Sequence, residues 1–197
     1  MGRELKLCLA SASPRRQELL RQIGVEFDMI VSQIDEQNLP GEKPADYVLR
    51  VARDKAVEVR RRCQASHLSP LAVLGADTCV TLDGTILGKP RDREDGEGML
   101  RRLSGRTHEV VSAIVLLCGE VEDSAINTSQ VTFGPLTDKE ISQYWNTGEP
   151  ADKAGGYAIQ GKAAAFIQHI AGSYSGIVGL PLYELVQVLK NNGMLRE

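Results

Sequence analysis

Two adjacent arginines stand near the start of the chain, in the segment SASPRR at residues 11–16. A serine followed by a proline after a short apolar run predicts that a helix begins here. The first turn of a helix carries partial positive charge, so Arg15 and Arg16 are unfavourable there unless an anion binds between them. The segment therefore indicates an anion site. The alternative is two surface arginines paired with Glu18 or another acid.

Carboxylates follow two of the predicted strands. Asp77 lies in the motif GADT after the apolar run Leu71–Gly75, and Asp35 and Glu36 close the second predicted strand. Ligands of α/β proteins bind beyond the carboxyl ends of strands, where a carboxylate can hold Mg²⁺ or Mn²⁺ or orient a water molecule. The alternatives are a turn aspartate that caps the backbone and an exposed acidic loop.

Two lysines could add positive charge to such a site. Lys89 lies in the motif GKP, and Lys55 lies on the apolar face of a predicted helix. A lysine ammonium is a compact charge that suits phosphate oxygens. Taken singly, however, Lys89 is more typical of a solvated surface lysine, and Lys55 of a boundary lysine whose stem covers apolar neighbours.

One segment imitates a phosphate-binding loop. Residues 156–163, GYAIQGKA, differ from the P-loop pattern because Ala163 stands where a metal-binding hydroxyl is needed. No strong strand precedes the segment and an apolar run follows it, so we reject a P-loop ATPase. Gln160 remains of interest because its amide both donates and accepts, which suits the edge of a base.

These residues need a mixed α/β framework to bring them together. The predicted strands are Leu5–Ala10, Phe27–Ile34, Leu71–Gly75, Thr78–Leu82, Thr85–Leu87, His108–Cys118, Ser124–Phe133 and Ala163–Ile170. The predicted helices run from Pro14 to near Gly24, Ala45–Arg62, Asp92–Leu103, Thr137 to near Gly148, and Pro181–Asn192. Asp83-Gly84 is a two-residue hairpin signal, and TDKE at 137–140 is a capping box. The mixture predicts an α/β fold with a mixed sheet.

Bulk properties exclude several classes of protein. The 197 residues suggest one domain spanning 1–197, and the net charge of −3 disfavours a general nucleic-acid binder. No apolar run approaches the ~20 residues that span a bilayer, and the start of the chain has no signal-peptide pattern, so we expect a cytoplasmic protein. The four cysteines and three histidines show no zinc-site spacing.

The motifs together resemble one known family. SASPRR, IDE, ARDKA, GADT, GKP, LSGRTH, DKAGGYAIQG and VGLPL follow in this order from Leu9 to about Leu182. This series resembles the Maf family of nucleotide pyrophosphatases. The resemblance implies an elongated α/β fold with two lobes around a deep substrate cleft, usually in a homodimer. It also implies cleavage of nucleoside triphosphates between the α and β phosphates with a divalent cation.

The resemblance also implies roles for particular residues. Its phosphate-binding and catalytic positions correspond here to Ser11, Arg15, Arg16, Glu36, Lys55, Asp77 and Lys89. Asp77 corresponds to the proton acceptor, and Asp77 with Glu36 (or its neighbour Asp35) to the metal site. Basic and acidic groups of these kinds can surround a triphosphate, neutralise its oxygens and accept a proton from water.

Three positions separate substrate preferences within the family. Here they are Arg15, Thr78 and Gln160, a set that resembles the dTTP/UTP subgroup. The 7-methyl-GTP subgroup has Tyr, Gln and Glu instead, and an acidic partner suits its cationic base. Two other functions stay open: a non-catalytic nucleotide-binding regulator of cell division, and an inosine triphosphate pyrophosphatase. The presence of both Asp77 and Glu36 favours an enzyme.

Overall fold

A computed structural model describes residues 7–66 and 72–195 of the chain, and all structural statements concern these residues. The strands are β1 Leu7–Leu9, β2 Phe27–Met29, β3 Ala72–Leu82, β4 Thr85–Leu87, β5 Thr107–Cys118, β6 Val121–Phe133 and β7 Ile167–Ala171. The helices are α1 Pro14–Gln22, α2 Pro44–Ala65, α3 Arg93–Leu103, α4 Asp138–Trp145, α5 Tyr174–Val178 and α6 Leu182–Asn191. Three 3-10 helices lie between α4 and β7.

All seven strands form one mixed sheet. The strand order is β2-β1-β3-β5-β6-β7, and β4 pairs with β3 off this path. Strand β1 runs parallel to both β2 and β3, whereas the other pairings are antiparallel. The sequence-based prediction of an α/β fold with a mixed sheet is therefore confirmed. None of the described helices has the length and apolar character needed to cross a bilayer.

Four strand predictions need correction. The runs Leu71–Gly75 and Thr78–Leu82 belong to one continuous strand, β3, so Asp77 lies inside a strand and not after one. Leu71 itself lies outside the described residues. Strand β2 ends at Met29, before Ile34, and the predicted strand Ala163–Ile170 begins as a 3-10 helix, Lys162–Phe166.

Strand β3 lacks a strand partner along part of one side. On the side of β3 that faces away from β5, strand β1 pairs with Ala72–Leu74 and strand β4 pairs with Val80–Leu82. Within the described residues, Gly75–Cys79 therefore have a strand neighbour only on the β5 side. We call this gap in the sheet the notch. Because β1 ends where the notch begins, its carboxyl end and the following SASPRR segment open directly onto Asp77.

Helix α2 packs on the sheet beside the notch. Its apolar residues recur at intervals of three and four, and each is completely buried: Val48, Val51, Ala52, Ala56 and Val59. The approach is unusually close at Gly75, where a Cβ atom would lie 2.0 Å from the Ala52 carbonyl oxygen. The absence of a side chain at Gly75 thus lets α2 rest on β3 and brings the next turn of the helix over Asp77.

Local signals in the sequence set several element boundaries. Asp83 and Gly84 have φ of 51° and 75°, the left-handed conformations that a type I′ hairpin turn requires. Thr137 forms the predicted capping box with Glu140 at the start of α4. Ser13 and Pro14 open α1 as predicted, although the Ser13 side chain makes no capping hydrogen bond. These are all features that depend on only a few neighbouring residues.

A buried histidine links β5 to the segment before β7. His108 is 2% exposed, and its Nε2 lies 2.7 Å from the Tyr157 Oη atom. Its ring also packs edge-on against Phe133, with centroids 5.1 Å apart. Burial lowers the pKa of His108 to about 4, so the native state holds the neutral imidazole.

We expect this histidine to make the protein less stable in mild acid. The unfolded chain binds a proton near pH 6.5 but the folded chain only near pH 4, so stability falls as pH drops between these values. The full loss is about 3 kcal/mol for one group with this shift. Urea unfolding at pH 7, 6, 5 and 4 measures it. His108→Gln should lessen this pH dependence and the exposed His169→Gln should not; equal slopes in the two variants would contradict the assignment.

Candidate active site

A buried lysine joins two carboxylates from different parts of the chain. Lys55 comes from α2, Asp77 from β3, and Glu36 from the loop between β2 and α2. The Lys55 Nζ atom lies 2.8 Å from Asp77 Oδ1 and 3.1 Å from Glu36 Oε1. The side chains of Lys55 and Asp77 are 7% and 8% exposed, whereas that of Glu36 is 45% exposed. Asp77 and Lys55 thus form the floor of the site and Glu36 its edge.

The environment of Asp77 suits a proton acceptor. Burial raises the pKa of the Asp77 carboxyl above its ordinary value, while the charges of Lys55 and Arg16 oppose this rise. A raised pKa makes the carboxylate a stronger base than an exposed aspartate. The neighbouring cations keep the ionised form accessible, so the same group can both accept a proton and exist as a carboxylate.

Arg16 is a buried cation whose hydrogen-bond acceptors are neutral groups. Its Nε donates to the Gly179 carbonyl at 2.8 Å, Nη1 to Ser11 Oγ at 3.1 Å, and Nη2 to Thr78 Oγ1 at 3.3 Å. Within the described part of the chain it forms no salt bridge, which removes the alternative that Glu18 pairs with it. Burial lowers the pKa of Arg16. A buried guanidinium held only by neutral acceptors would be stabilised by an anion in the cleft.

The Thr78 side chain contacts Arg16, Ser112 and the Gly179 carbonyl oxygen, which lies 3.4 Å from its Oγ1 atom. Its Oγ1 accepts from Arg16 and lies 2.7 Å from the Ser112 Oγ atom on β5. Ser112 in turn donates to the Gly176 carbonyl on α5 at 2.7 Å. Polar side chains on β3 and β5 thus hold the short helix α5 and the Gly179 carbonyl against Arg16. Neither Ser112 nor α5 was identified from the sequence.

One cavity of about 900 Å³ gathers almost all the candidate residues. Its lining includes Ser11, Arg15, Arg16, Asp35, Glu36, Lys55, Asp77, Thr78 and Lys89. Arg15 is half-buried and Lys89 is exposed. Gln160 differs from these residues, since it is exposed and lies outside the lining, although Ala158 and Ile159 belong to it. The role of Gln160 in reading the base therefore stays a prediction.

The cavity also contains residues that were not singled out from the sequence. Lys153, which forms a salt bridge with Asp152, adds a further cation to the lining. Tyr47 on α2 donates from Oη to the Glu36 carbonyl oxygen at 2.8 Å and so holds the acidic loop in place. Lys153 lies within the motif DKAGGYAIQG, which was a usable signal. Tyr47 has no such signal, because it reads as one more apolar position of an amphipathic helix.

The carboxylates of the cleft are suitable ligands for a hard divalent cation. The described residues contain no cluster of three acidic, histidine or cysteine side chains that would hold a metal ion alone. Mg²⁺ is, however, commonly bound by one or two carboxylates together with substrate phosphates. Asp77 and Glu36, both within reach of Lys55, fit that pattern.

The arrangement defines a class of protein. Cationic side chains from α1, α2, the segment after β4 and the segment after α4 surround a buried carboxylate, at the carboxyl end of the parallel strand β1. Such a site in an α/β sheet binds a small phosphorylated ligand. A family model described as Maf-like protein matches residues 6–192, and the chain therefore belongs to the Maf family.

Curated relatives match over almost their whole length. The dTTP/UTP pyrophosphatase of Aromatoleum aromaticum is 49% identical over 199 residues, covering 96% of this chain and 97% of that protein. The dTTP/UTP pyrophosphatase of Escherichia coli O157:H7 is 49% identical over 191 residues, covering 97% and 95%. The protein of the same name from Dechloromonas aromatica is 46% identical, covering 96% and 98%.

Proposed function

We propose that the protein is a nucleoside triphosphate pyrophosphatase that hydrolyses dTTP and UTP to the monophosphates and pyrophosphate. The observation that carries the proposal is the pairing of Lys55 with Asp77 at 2.8 Å, beside the buried guanidinium of Arg16. Support also comes from relatives that bear this activity in their names at 46–49% identity. The burial of Lys55 and Asp77, and not only their residue types, therefore supports a catalytic role.

The chemistry is a displacement at the α phosphorus by water. The water oxygen forms a bond to that phosphorus while the bond to the bridging oxygen of the β phosphate breaks, and pyrophosphate leaves. Asp77 takes the proton of the water, and Lys55 orients the Asp77 carboxylate. Arg15, Arg16, Lys89 and Lys153 stabilise the charge on the phosphate oxygens. Phosphoryl transfer requires mainly such positioning and electrostatics, without a covalent nucleophile.

A divalent cation, Mg²⁺ or Mn²⁺, completes the proposed site. Asp77 and Glu36 would hold it, with Asp35 as the alternative to Glu36, since both Asp35 and Glu36 line the cavity. When bound there, the cation would neutralise phosphate oxygens and make pyrophosphate a better leaving group. Tyr47 contributes indirectly, because its hydrogen bond to the Glu36 backbone limits the movement of that carboxylate.

The remaining parts of the proposal concern the setting of the enzyme. We place it in the cytoplasm as a homodimer, with no nucleic-acid or membrane partner, in line with its net charge of −3 and the absence of long apolar segments. Modified pyrimidine nucleotides belong to the same substrate class. A non-catalytic regulator of cell division would need the cationic residues but not the buried, lysine-oriented carboxylate of Asp77.

A nucleotide screen tests the proposal. Purified protein is incubated with dTTP, UTP, ITP or 7-methyl-GTP, with and without Mg²⁺ or Mn²⁺, and pyrophosphate and orthophosphate are measured separately. We expect dTMP or UMP with pyrophosphate, in the presence of metal. Release of orthophosphate with a nucleoside diphosphate would mean that another bond breaks, and a preference for ITP would indicate a purine-directed enzyme.

Substrate choice gives a separate prediction. Gln160→Glu should lower kcat/KM for dTTP and UTP. The loss corresponds to ~1–3 kcal/mol, the free energy of one or two hydrogen bonds. The triple variant that adds Arg15→Tyr and Thr78→Gln should shift activity toward 7-methyl-GTP, whose cationic base pairs with the new carboxylate. Values of kcat/KM for the three nucleotides in wild type and both variants decide it. An unchanged ratio of pyrimidine to 7-methyl-GTP activity would show that these residues do not select the base.

A further inference from the structure

One wall of the cleft is a turn without strand pairing. Tyr157, Ala158 and Ile159 line the cavity, and Gln160 and Gly161 continue from them to the 3-10 helix at Lys162–Phe166. We call residues 157–161 the wall segment. None of its residues belongs to a helix or strand. Its position must therefore depend on contacts made by other parts of the molecule.

Two side chains behind the wall segment bind one backbone amide within it and the two amides that directly follow it. Tyr144 Oη accepts from the Ala158 amide at 3.2 Å and donates to Glu149 Oε1 at 2.6 Å. Glu149 Oε2 accepts from the Lys162 amide at 2.9 Å, and its Oε1 from the Ala163 amide at 3.4 Å. The amides on either side of residues 159–161 thus donate to the same hydrogen-bonded pair, Tyr144 and Glu149.

This support is tightly packed. Tyr144 is 3% exposed, and its ring meets Phe166 edge-on with centroids 5.2 Å apart. A Cβ atom at Gly161 would lie 2.3 Å from the Glu149 carboxylate, so only glycine lets that carboxylate reach the turn. Neither Tyr144 nor Glu149 belongs to the cavity lining. Both can therefore affect a ligand only indirectly, and the wall segment is the part of the lining that their hydrogen bonds hold.

The wall segment contributes apolar side chains to the cleft. The lining of the cavity includes apolar residues as well as the cationic ones, among them Val80, Val110, Tyr157, Ile159, Ile177 and Val178. A nucleotide offers phosphates to cations and the faces of its base to apolar side chains. Resting on the proposed function, we propose that Tyr144 and Glu149 are positioning residues that set the affinity of the cleft for the nucleoside part of the substrate.

The test compares ligands with and without a base. Glu149→Gln and Tyr144→Phe are made in the full chain, and kcat and KM are measured for dTTP and UTP, together with the inhibition constant of inorganic tripolyphosphate. We expect KM to rise about three- to tenfold, as for one lost hydrogen bond, with little change in kcat. The inhibition constant of tripolyphosphate should stay unchanged, because that ligand has no base to place against the wall segment.

Glu140→Gln is the matched control. Glu140 also caps backbone and hydroxyl groups at α4, through Thr137, but lies outside the cavity lining. The substitution should change neither the KM for the nucleotides nor the inhibition constant of tripolyphosphate. Gly161→Ala, which pushes on the Glu149 carboxylate from the other side, should reproduce the KM effect and serves if Glu149→Gln does not fold.

Two outcomes would overturn the inference. One is an unchanged KM in variants that fold with wild-type circular dichroism, and the other is an equal loss of affinity for nucleotide and tripolyphosphate. If the wild type releases no pyrophosphate, the proposed function itself fails. Titration calorimetry with dTTP and with tripolyphosphate then tests the positioning role alone, by the same comparison of the two ligands.

Discussion

Replacing Asp77 by asparagine is expected to lower kcat for dTTP by ~10²–10⁴-fold, the usual effect of losing a general base. The amide keeps the size of the side chain and can still accept from Lys55 Nζ, which lies 2.8 Å from Asp77 Oδ1. It cannot take a proton from water, and it removes one negative charge from the proposed metal site. Steady-state rates of pyrophosphate release measure the effect.

The control for this substitution is Asp83→Asn. Asp83 lies in the exposed hairpin turn with φ of 51°, where Asn-Gly is as favourable as Asp-Gly. This variant also removes a carboxylate, which pairs with Arg106, but it is outside the cleft lining. We expect its rate to match the wild type. An Asp77→Asn enzyme that keeps wild-type turnover would refute the role of Asp77 as the base.

Gly75→Ala should be the most destabilising small substitution in the site. The new methyl group would lie 2.0 Å from the Ala52 carbonyl oxygen, and backbone cannot move aside as a side-chain tip can. Overpacking in a core costs ~1–3 kcal/mol, and a backbone clash belongs at the upper end or beyond. Relief requires α2 to move from β3, which would draw Lys55 away from Asp77. We expect a lower urea midpoint together with reduced kcat in the protein that remains folded.

Gly98→Ala provides the contrast. Gly98 lies in α3, and a Cβ atom there would meet nothing within 4 Å. The same chemical change should stabilise the protein by about 0.5–1 kcal/mol, because alanine restricts the unfolded chain and favours helix. Urea unfolding of both variants separates the two cases. Equal and small effects would mean that α2 tolerates displacement from β3, and that its close approach does not set the Lys55–Asp77 contact.

Features with short-range causes could be predicted from the sequence. The hairpin at Asp83, the capping box at Thr137 and the apolar face of α2 each depend on a few neighbouring residues, and each was found. The continuity of β3 could not be predicted in the same way. A polar Asp77 between two apolar runs is typical of a strand end, and only the pairing of β3 with β5 along its length keeps the strand intact.

The residues of the site divide in the same way, into those with a short-range signal in the sequence and those placed by long-range packing. Alone, Lys55 resembles any lysine at the edge of a buried helix face, and only the packing permitted by Gly75 places its charge inside the protein. The sequence predicts that Arg16 binds an anion, because its charge opposes the helix dipole. The structure adds that this charge is buried, which increases the stabilisation that an anion would provide. Gln160 is exposed and lies outside the cavity lining, because its position depends on the turn at residues 157–161, which short-range sequence patterns do not encode.

The notch in β3 has a consequence for the energetics of the ligand-free protein. Residues Gly75–Cys79 lie near the centre of the sheet, yet among the described residues they pair with a strand on the β5 side only. A ligand that contacts the SASPRR segment, β3 and α2 would connect these elements where no strand does so. Binding in the cleft and the stability of the sheet are then linked equilibria. Ligand at 100 times its dissociation constant adds about 2.7 kcal/mol to the free energy of unfolding. The melting temperature should therefore rise with nucleotide concentration, and protection from amide hydrogen exchange should increase first at the residues around the notch.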